Sequence, residues 1–334
     1  MSISRPCDEC RETPPLAIEG RRDFLVKSAA SVAALGTFLP SVWAGGEKKP
    51  SAESYAGELY TSLTDEQRKI LCFKTNDPLR QKVSANWAIT KPKIESFNPK
   101  QVEMVERIVK GLASPEGYEK FRKQMEDDSG GIGEYHVAFF GKPGDHDFEF
   151  EMTGRHVTMR ADGGPNAGPA FGGVMIYGHQ CETDPEAPTH PGNVFWYQAL
   201  RANEVFKALD PNQRKTALVR VAPKEDAIQH RKNGYPGLRV GEMSADQKGL
   251  VKQVMADLLA PYRKEDADEV LAILTANGGL EKTHLAFFQV DQAGKSVDLG
   301  DDGVWDIWRL EGPGFVWHFR GAPHVHTYVN IARV

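Results

Sequence analysis

The sequence predicts an α+β fold built from internally duplicated helix-helix-strand-strand halves around a central antiparallel sheet or barrel-like core. Three observations carry that expectation. The block LTDEQRK beginning at Leu63 returns as LDPNQRK at Leu209, and FNPKQVEMVERIVKGL from Phe97 returns as MSADQKGLVKQVMADL from Met243, each 146 residues on. The aromatic run YHVAFFG from Tyr135 returns as THLAFFQ from Thr283, 148 residues on. FEFEMTG, closing at Gly154, is paralleled by WDIWRLEG, closing at Gly312, after extra residues around Ser296 to Asp302. Blocks kept in one order at near-constant spacing mark an internal repeat. The half-repeats therefore fall at about 63–160 and 209–327, within a single domain of residues 61–334.

Residues 1–44 read as an address. Arg21-Arg22, followed by Phe24-Leu25, Lys27, a weakly apolar stretch and small residues around Ala44, make a twin-arginine signal peptide. The apolar stretch is short and broken by Gly36 and Pro40, unlike a membrane span. A periplasmic or secreted protein is expected, delivered by the twin-arginine export machinery and without a membrane span after cleavage. Cys7 and Cys10 leave with the leader. Residues 45–60 read as a flexible lead-in by composition. The leader holds five basic and five acidic residues, so the net charge of −5 belongs to the rest of the chain. That mild acidity, with no basic stripe, argues against nucleic acid as a partner. Cys72 and Cys181 are too few for a disulfide scaffold, and one bridge or two free thiols both fit.

Each half opens on capped helices. Thr64, Asn98, Asp210 and Ser244 stand three residues before Gln67, Gln101, Gln213 and Gln247, the capping-box spacing, so the repeated glutamines read as caps and not as catalytic groups. Pro99 and Pro211 fit the first helical position. Behind the caps, Val102, Val105, Val109 and Leu112 form one apolar stripe, and Leu250, Val251, Val254 and Leu258 another. A further helix follows Asn193, with Phe195, Ala199, Ala202, Phe206 and Leu209 on one face. Residues 162–169 are a loop by composition. After them a short strand, Val174 to Tyr177, runs into Gly178-His179-Gln180-Cys181. In the tail, alternation aims His324, His326, Tyr328 and Asn330 to one face, and Val325, Thr327, Val329 and Ile331 to the other. The aliphatic face reads as buried, and the imidazole face looks onto solvent or a cleft.

Two imidazoles on one strand face supply half of a metal site. In TGRHVTM, His156 shares a face with Thr158 and Arg160, and His179 sits at a strand end. The candidate metal ligands are therefore His156, His179, His324 and His326, for zinc or copper. Glu182, Glu311 or backbone carbonyls are the expected partners behind the rings. Among the other histidines, His136, His284 and His318 read as packing residues, while His146, His190 and His230 lie in polar, punctuated segments. No HExxH motif, no GxSxG elbow before a helix and no phosphate loop is present, so no nucleotide cofactor is expected. Cys181 beside His179 is the one candidate nucleophile pair.

The same residues carry a family resemblance. GRHVTMR, the AFGG after it, the GPGFVWHF strand and the closing HVHTY resemble the family catalogued as domain of unknown function 3500. The HPGNVFW helix start and the leader resemble its twin-arginine-exported branch. The likeness runs from about Leu59 to the end. In that family the motif more often reads GHH, where this chain has Arg155-His156, and the final motif often continues to Arg-Asp, where it has Val329-Asn330. The resemblance implies a fold and a location, not a reaction. Two functional classes follow from the residues. One is an exported, histidine-ligated metalloprotein, a hydrolase or an oxidoreductase. The other is a metal-free module for a small-molecule, envelope or carbohydrate-like ligand, with Trp196, Tyr177, Trp308 and Trp317 lining an aromatic cleft.

Overall fold

The computed structural model describes residues 51–162, 172–181, 190, 192–295 and 303–334. The leader, residues 45–50, most of the loop at 162–169 and Glu182 lie outside them. The first part of the chain runs α1 (Ala52–Ser62), α2 (Asp65–Leu71), β1 (Cys72–Phe73), α3 (Pro99–Leu112) and α4 (Pro115–Ser129). Strands β2 (His136–Phe140), β3 (Glu149–Gly154), β4 (Val157–Asp162) and β5 (Met175–His179) follow. The second part runs α5 (Tyr197–Ala208), α6 (Pro211–Ala217), β6 (Leu218–Val221), β7 (Leu238–Arg239), α7 (Ala245–Leu259) and α8 (Lys264–Ala276). It closes with β8 (His284–Val290), β9 (Ile307–Gly312), β10 (Phe315–Arg320) and β11 (Val325–Ile331). The mixed α+β class is as the sequence predicts.

The strands form one sheet in the order β1-β2-β3-β4-β5-β11-β10-β9-β8-β6, with β7 added on β8. Pairing is antiparallel throughout the middle, but β1–β2 and β6–β8 are parallel, so the sheet is mixed. The barrel alternative is not realised: among the described residues the end strands β1 and β6 do not pair, and the sheet stays open. Each end strand leaves directly from a short helix, α2 or α6, which sets its direction along its neighbour. At the centre β5 and β11 pair with Val325 opposite His179 and His326 opposite Gly178.

Helices cover one face of the sheet, where Val325, Val329 and Ile331 join the stripe residues Val105, Val109, Val251 and Val254 in the main core. All four capping boxes form, with the side chains of Thr64, Asn98, Asp210 and Ser244 each accepting from the glutamine backbone three residues on. Each glutamine amide also reaches the next cap: Gln67 Nε2 donates to Gln101 Oε1 at 3.0 Å, and Gln213 Nε2 to Gln247 Oε1 at 3.1 Å. The lead-in expected at 45–60 is helical from Ala52. Ser51 caps it, and Ala52, Ala56 and Leu59, spaced to one side of a helix, are buried.

Two long segments, 74–96 and 222–237, lie over the other face of the sheet. Val83 and Ala85 pack with Ile176 and Tyr328, Trp87 and Ile89 with Ala138 and Phe140, and Ala222 with Ala286 and Phe288. The imidazole face of the tail is therefore not open: His324, His326, Tyr328 and Asn330 are all buried. Polar side chains on this face pair with one another, as in Arg160 Nη1–Glu149 Oε1 at 2.6 Å and Arg309 Nη1–Glu311 Oε1 at 3.2 Å.

Candidate metal centre

The β3–β4 hairpin turns in two residues, Arg155 and His156, between the paired Gly154 and Val157. His156 lies in this turn, not on a strand face with Thr158 and Arg160, and it has φ 58°, the one positive φ at a non-glycine position among the described residues. Left-handed backbone costs a side-chain-bearing residue about 1 kcal/mol or more, and it is held where the surroundings over-determine it. Here the His156 N–H donates to Ala85 O at 2.6 Å, and Asn86 bridges Arg155. The segment over the sheet fixes the turn.

His324 just precedes β11, and His326 lies within it. Together with His156 they form a group in which one ring nitrogen from each residue lies within 4.8 Å of the other two. Ring centroids are 4.7 Å apart for His156–His324, 4.8 Å for His156–His326 and 4.9 Å for His324–His326. Nε2 of His324 is 3.1 Å from Nε2 of His326. Gly178, opposite His326, makes the room: a Cβ there would lie 3.2 Å from both His156 Cβ and His326 Cδ2, and 2.2 Å from Val325 O. Each of the three residues is at most 1 % exposed.

Carboxylates orient two of the rings. His156 Nδ1–H donates to Asp128 Oδ2 at 2.8 Å, and His326 Nδ1–H to Glu225 Oε2 at 2.7 Å. Each leaves a lone pair on Nε2, the tautomer a metal ligand needs. His156 Nε2 is fully buried and has no hydrogen-bond partner among the described residues. Around His326, Arg320 Nη2 donates to Nε2 at 3.0 Å, Arg320 Nη1 donates to Glu225 Oε1 at 2.6 Å and the Tyr328 hydroxyl to Glu225 Oε2 at 2.9 Å. Burial opposes the charge on Asp128, yet the nearby His156 ring and hydrogen bonds from His156, Gln124 and Gln180 hold its pKa below the usual carboxylate value. Burial pushes His324 and His326 below the usual imidazole range, helped in both by the charges of Arg320 and Arg155. These rings are neutral at physiological pH, as ligation requires.

His179 does not join the group. It faces Val325, one residue out of phase with Gly178, and so points to the helix side of the sheet. There its Nε2–H donates to Asp127 Oδ2 at 2.8 Å and its Nδ1 accepts from Val194 N at 3.3 Å, which occupies both nitrogens. Glu311 is engaged by Arg309 and Arg231 and holds none of the three rings. The partners that do, Asp128 and Glu225, come from the end of α4 and from the segment over the sheet, where no local pattern marks them. His318 accepts from Arg309 Nε at 3.2 Å. Neither Cys72 nor Cys181 is in a disulfide, and Cys181 Sγ lies 3.2 Å from His190 Nδ1. The candidate pair of Cys181 with His179 is not formed, since that ring is taken up by Asp127 and Val194.

A surface cleft of about 560 Å³ reaches Asp128 and Arg155, next to the group, and is lined also by Asn86, Trp87, Asp127 and Glu134, with none of the three histidines in its wall. It is polar. The aromatic lining expected from Trp196, Tyr177, Trp308 and Trp317 is absent, because all four are buried in the core. Among the described residues, no helix is long and apolar enough to cross a membrane.

Fold and site together define an α+β protein with a large open mixed sheet and a buried three-histidine group that could hold a metal ion. The chain belongs to the family described as protein of unknown function (DUF3500), whose family model matches residues 46–329. No curated protein and no solved structure matches the chain.

Proposed function

We propose that the chain is an exported metalloprotein in which His156, His324 and His326 hold one metal ion, zinc in the first instance. The observation that carries this reading is the buried, unpartnered Nε2 of His156 aimed at two further imidazoles, with Nδ1 of His156 and of His326 pinned by carboxylates. A bare lone pair in a dry interior costs stability unless a ligand takes it up. Three imidazoles around zinc leave a fourth position, and zinc in that setting lowers the pKa of bound water to about 7, the basis of metal-assisted hydrolysis. Copper in the same ligands would move the reading to an oxidoreductase.

Export rests on the leader, with Arg21-Arg22 as its mark. The duplicated architecture is a further part of the reading. It is supported by the mirrored strand order about β5–β11, the paired Gln67–Gln101 and Gln213–Gln247 contacts, and the equal 34-residue separation of the two capping boxes within each half.

Elemental analysis of tag-free protein tests the centre. About one equivalent of zinc is expected, lost in His156→Asn and His324→Ala while far-UV circular dichroism is retained. Metal-free protein, or unchanged zinc in both variants, overturns the assignment, and one equivalent of copper replaces zinc as its ion. Arg21→Lys with Arg22→Lys tests the address: the double variant should accumulate in the cytoplasm, and unchanged export would remove the twin-arginine reading.

A further inference from the structure

The three histidines are buried, and the cleft that reaches Asp128 and Arg155 has none of them in its wall. An ion can therefore join the folded chain only if something over the sheet moves. Two covers lie on this face, and they are fastened differently. The segment 74–96 is laced to the strands by its own backbone. Ile89 N donates to Thr153 Oγ1 at 2.9 Å, Ile94 N to Tyr135 O at 2.9 Å, and Ala85 O accepts from His156 N at 2.6 Å. The segment 222–237 instead begins and ends on one strand, β8, where Ala222 N donates to Val290 O at 2.8 Å and Leu238 pairs with Leu285. Between those fixed points it is a loop, and among the described residues no backbone-to-backbone hydrogen bond ties 223–236 to the sheet. Side chains of the sheet hold it. Arg309 donates to Lys224 O at 3.2 Å and to Ala227 O at 2.8 Å, and Asn330 Nδ2 donates to Ile228 O at 2.8 Å. Glu225 accepts from Arg320, His326 and Tyr328. From Pro223 to Gly237 only Ile228 is fully buried. A segment with few buried apolar contacts and few backbone bonds lies at the low end of local stability. Solvent also comes nearest the rings here: of the two carboxylates bonded to them, the Glu225 side chain is 23 % exposed and that of Asp128 0 %.

Resting on the metal reading above, we propose that the loop 223–237 is the door through which a divalent ion reaches His156, His324 and His326, with Ile228 as its latch. The loop lifts from β9, β10 and β11 while both its ends stay on β8, and it bares His326. On closing, Glu225 returns to His326 Nδ1 and again fixes Nε2 as the ligand nitrogen. The door leaves the ligand set untouched, so it governs how fast an ion enters and leaves and not how tightly it is held.

Zinc uptake by chelated protein and zinc release to a chelating dye, both followed by stopped flow, test the door. Ile228 is buried only while the loop is shut, so Ile228→Ala lowers the cost of opening and should speed uptake and release alike, by about tenfold or more, with Kd unchanged. Ile89→Ala, a matching truncation in the laced cover, should leave both rates as in wild type. Hydrogen exchange on the unaltered, metal-free protein gives a second reading: amides of 223–236 should exchange before those of 85–94. No zinc uptake by the wild-type protein would overturn the metal reading and the door with it. Uptake that ignores Ile228→Ala, or that Ile89→Ala speeds equally, would overturn the door alone. Exchange at 223–236 no faster than at 85–94 would do the same.

Discussion

Replacing His156 by glycine separates the cost of this residue from its purpose. The backbone at His156 has φ 58°, and at the matching point of the β9–β10 hairpin Gly314 has φ 72°. Glycine would relieve strain of about 1 kcal/mol, while the freer unfolded chain would cost about 0.5–1 kcal/mol in return. The backbone contribution nearly cancels. The lost ring removes a charge-assisted hydrogen bond to Asp128 worth about 1.5–3 kcal/mol, although Gln124 Nε2 at 2.8 Å and Gln180 N at 3.0 Å still donate to that carboxylate. Metal-free His156→Gly should thus be less stable by about 2 kcal/mol. At about 2.1 cal/mol/K per residue, the ~260 described residues give an unfolding entropy of ~0.55 kcal/mol/K, so Tm falls by about 3–4 °C. Zinc at a hundred times its Kd adds about 2.7 kcal/mol to wild type, or ~5 °C on the same scale. The variant should gain none of it. Calorimetry on chelated and zinc-loaded samples measures all four states. An equal zinc shift in wild type and variant would place the ion elsewhere, and a variant as stable as wild type would deny the Asp128–His156 bond its role.

Two further outcomes follow from the packing and the charges. Gly178→Ala would set a Cβ 2.2 Å from Val325 O, a backbone atom of the central strand pair. Its cost should reach or exceed the about 1–3 kcal/mol usual for overpacking and abolish zinc binding, and an unchanged Tm would refute the close approach. Burial also depresses the pKa of His318, His324 and His326 in the folded state. As pH falls below about 6.5, the unfolded chain gains protons that the folded chain refuses, so each group removes up to about 1.4 kcal/mol per pH unit. Tm of the chelated protein should fall steadily from pH 7 to pH 5, and a flat profile would mean that these rings are not buried neutral.

How far the sequence revealed the site depends on which signals are local. Caps and apolar stripes are local, and the four glutamines sit where their spacing puts them. Strand alternation brought His324 and His326 to one side correctly, and it failed for His179 only through phase: the strand runs on through His179, and pairing with Val325 turns that ring to the helices. Depth was not legible. The segment 74–96 has no regular period, yet Val83, Ala85, Trp87 and Ile89 settle over the sheet and close off a face whose polar residues looked solvent-bound. Asp128 and Glu225 were missed for a related reason. A carboxylate at the end of an acidic helix or in a long connection gives no sign of the ring it meets 28 or 101 residues away.

Comparing the two sheet hairpins supports the proposal that the His156 ring serves a site and not the scaffold. Gly154-Arg155-His156-Val157 and Gly312-Pro313-Gly314-Phe315 turn in the same number of residues between paired neighbours, with positive φ at the same point. Even their supports correspond: Gln124 of α4 donates to Arg155 O at 3.2 Å, and Asn277 just beyond α8 donates to Pro313 O at 2.9 Å. Proline and glycine are the inexpensive choice for such a turn, so the fold can build it without a side chain. At 155 and 156 the chain instead carries a guanidinium and an imidazole, accepts the left-handed strain and buries the ring with an unpartnered nitrogen. Strain and an orphan lone pair at one residue are two separate costs to folding. A bound ion on His156, His324 and His326 would offset both.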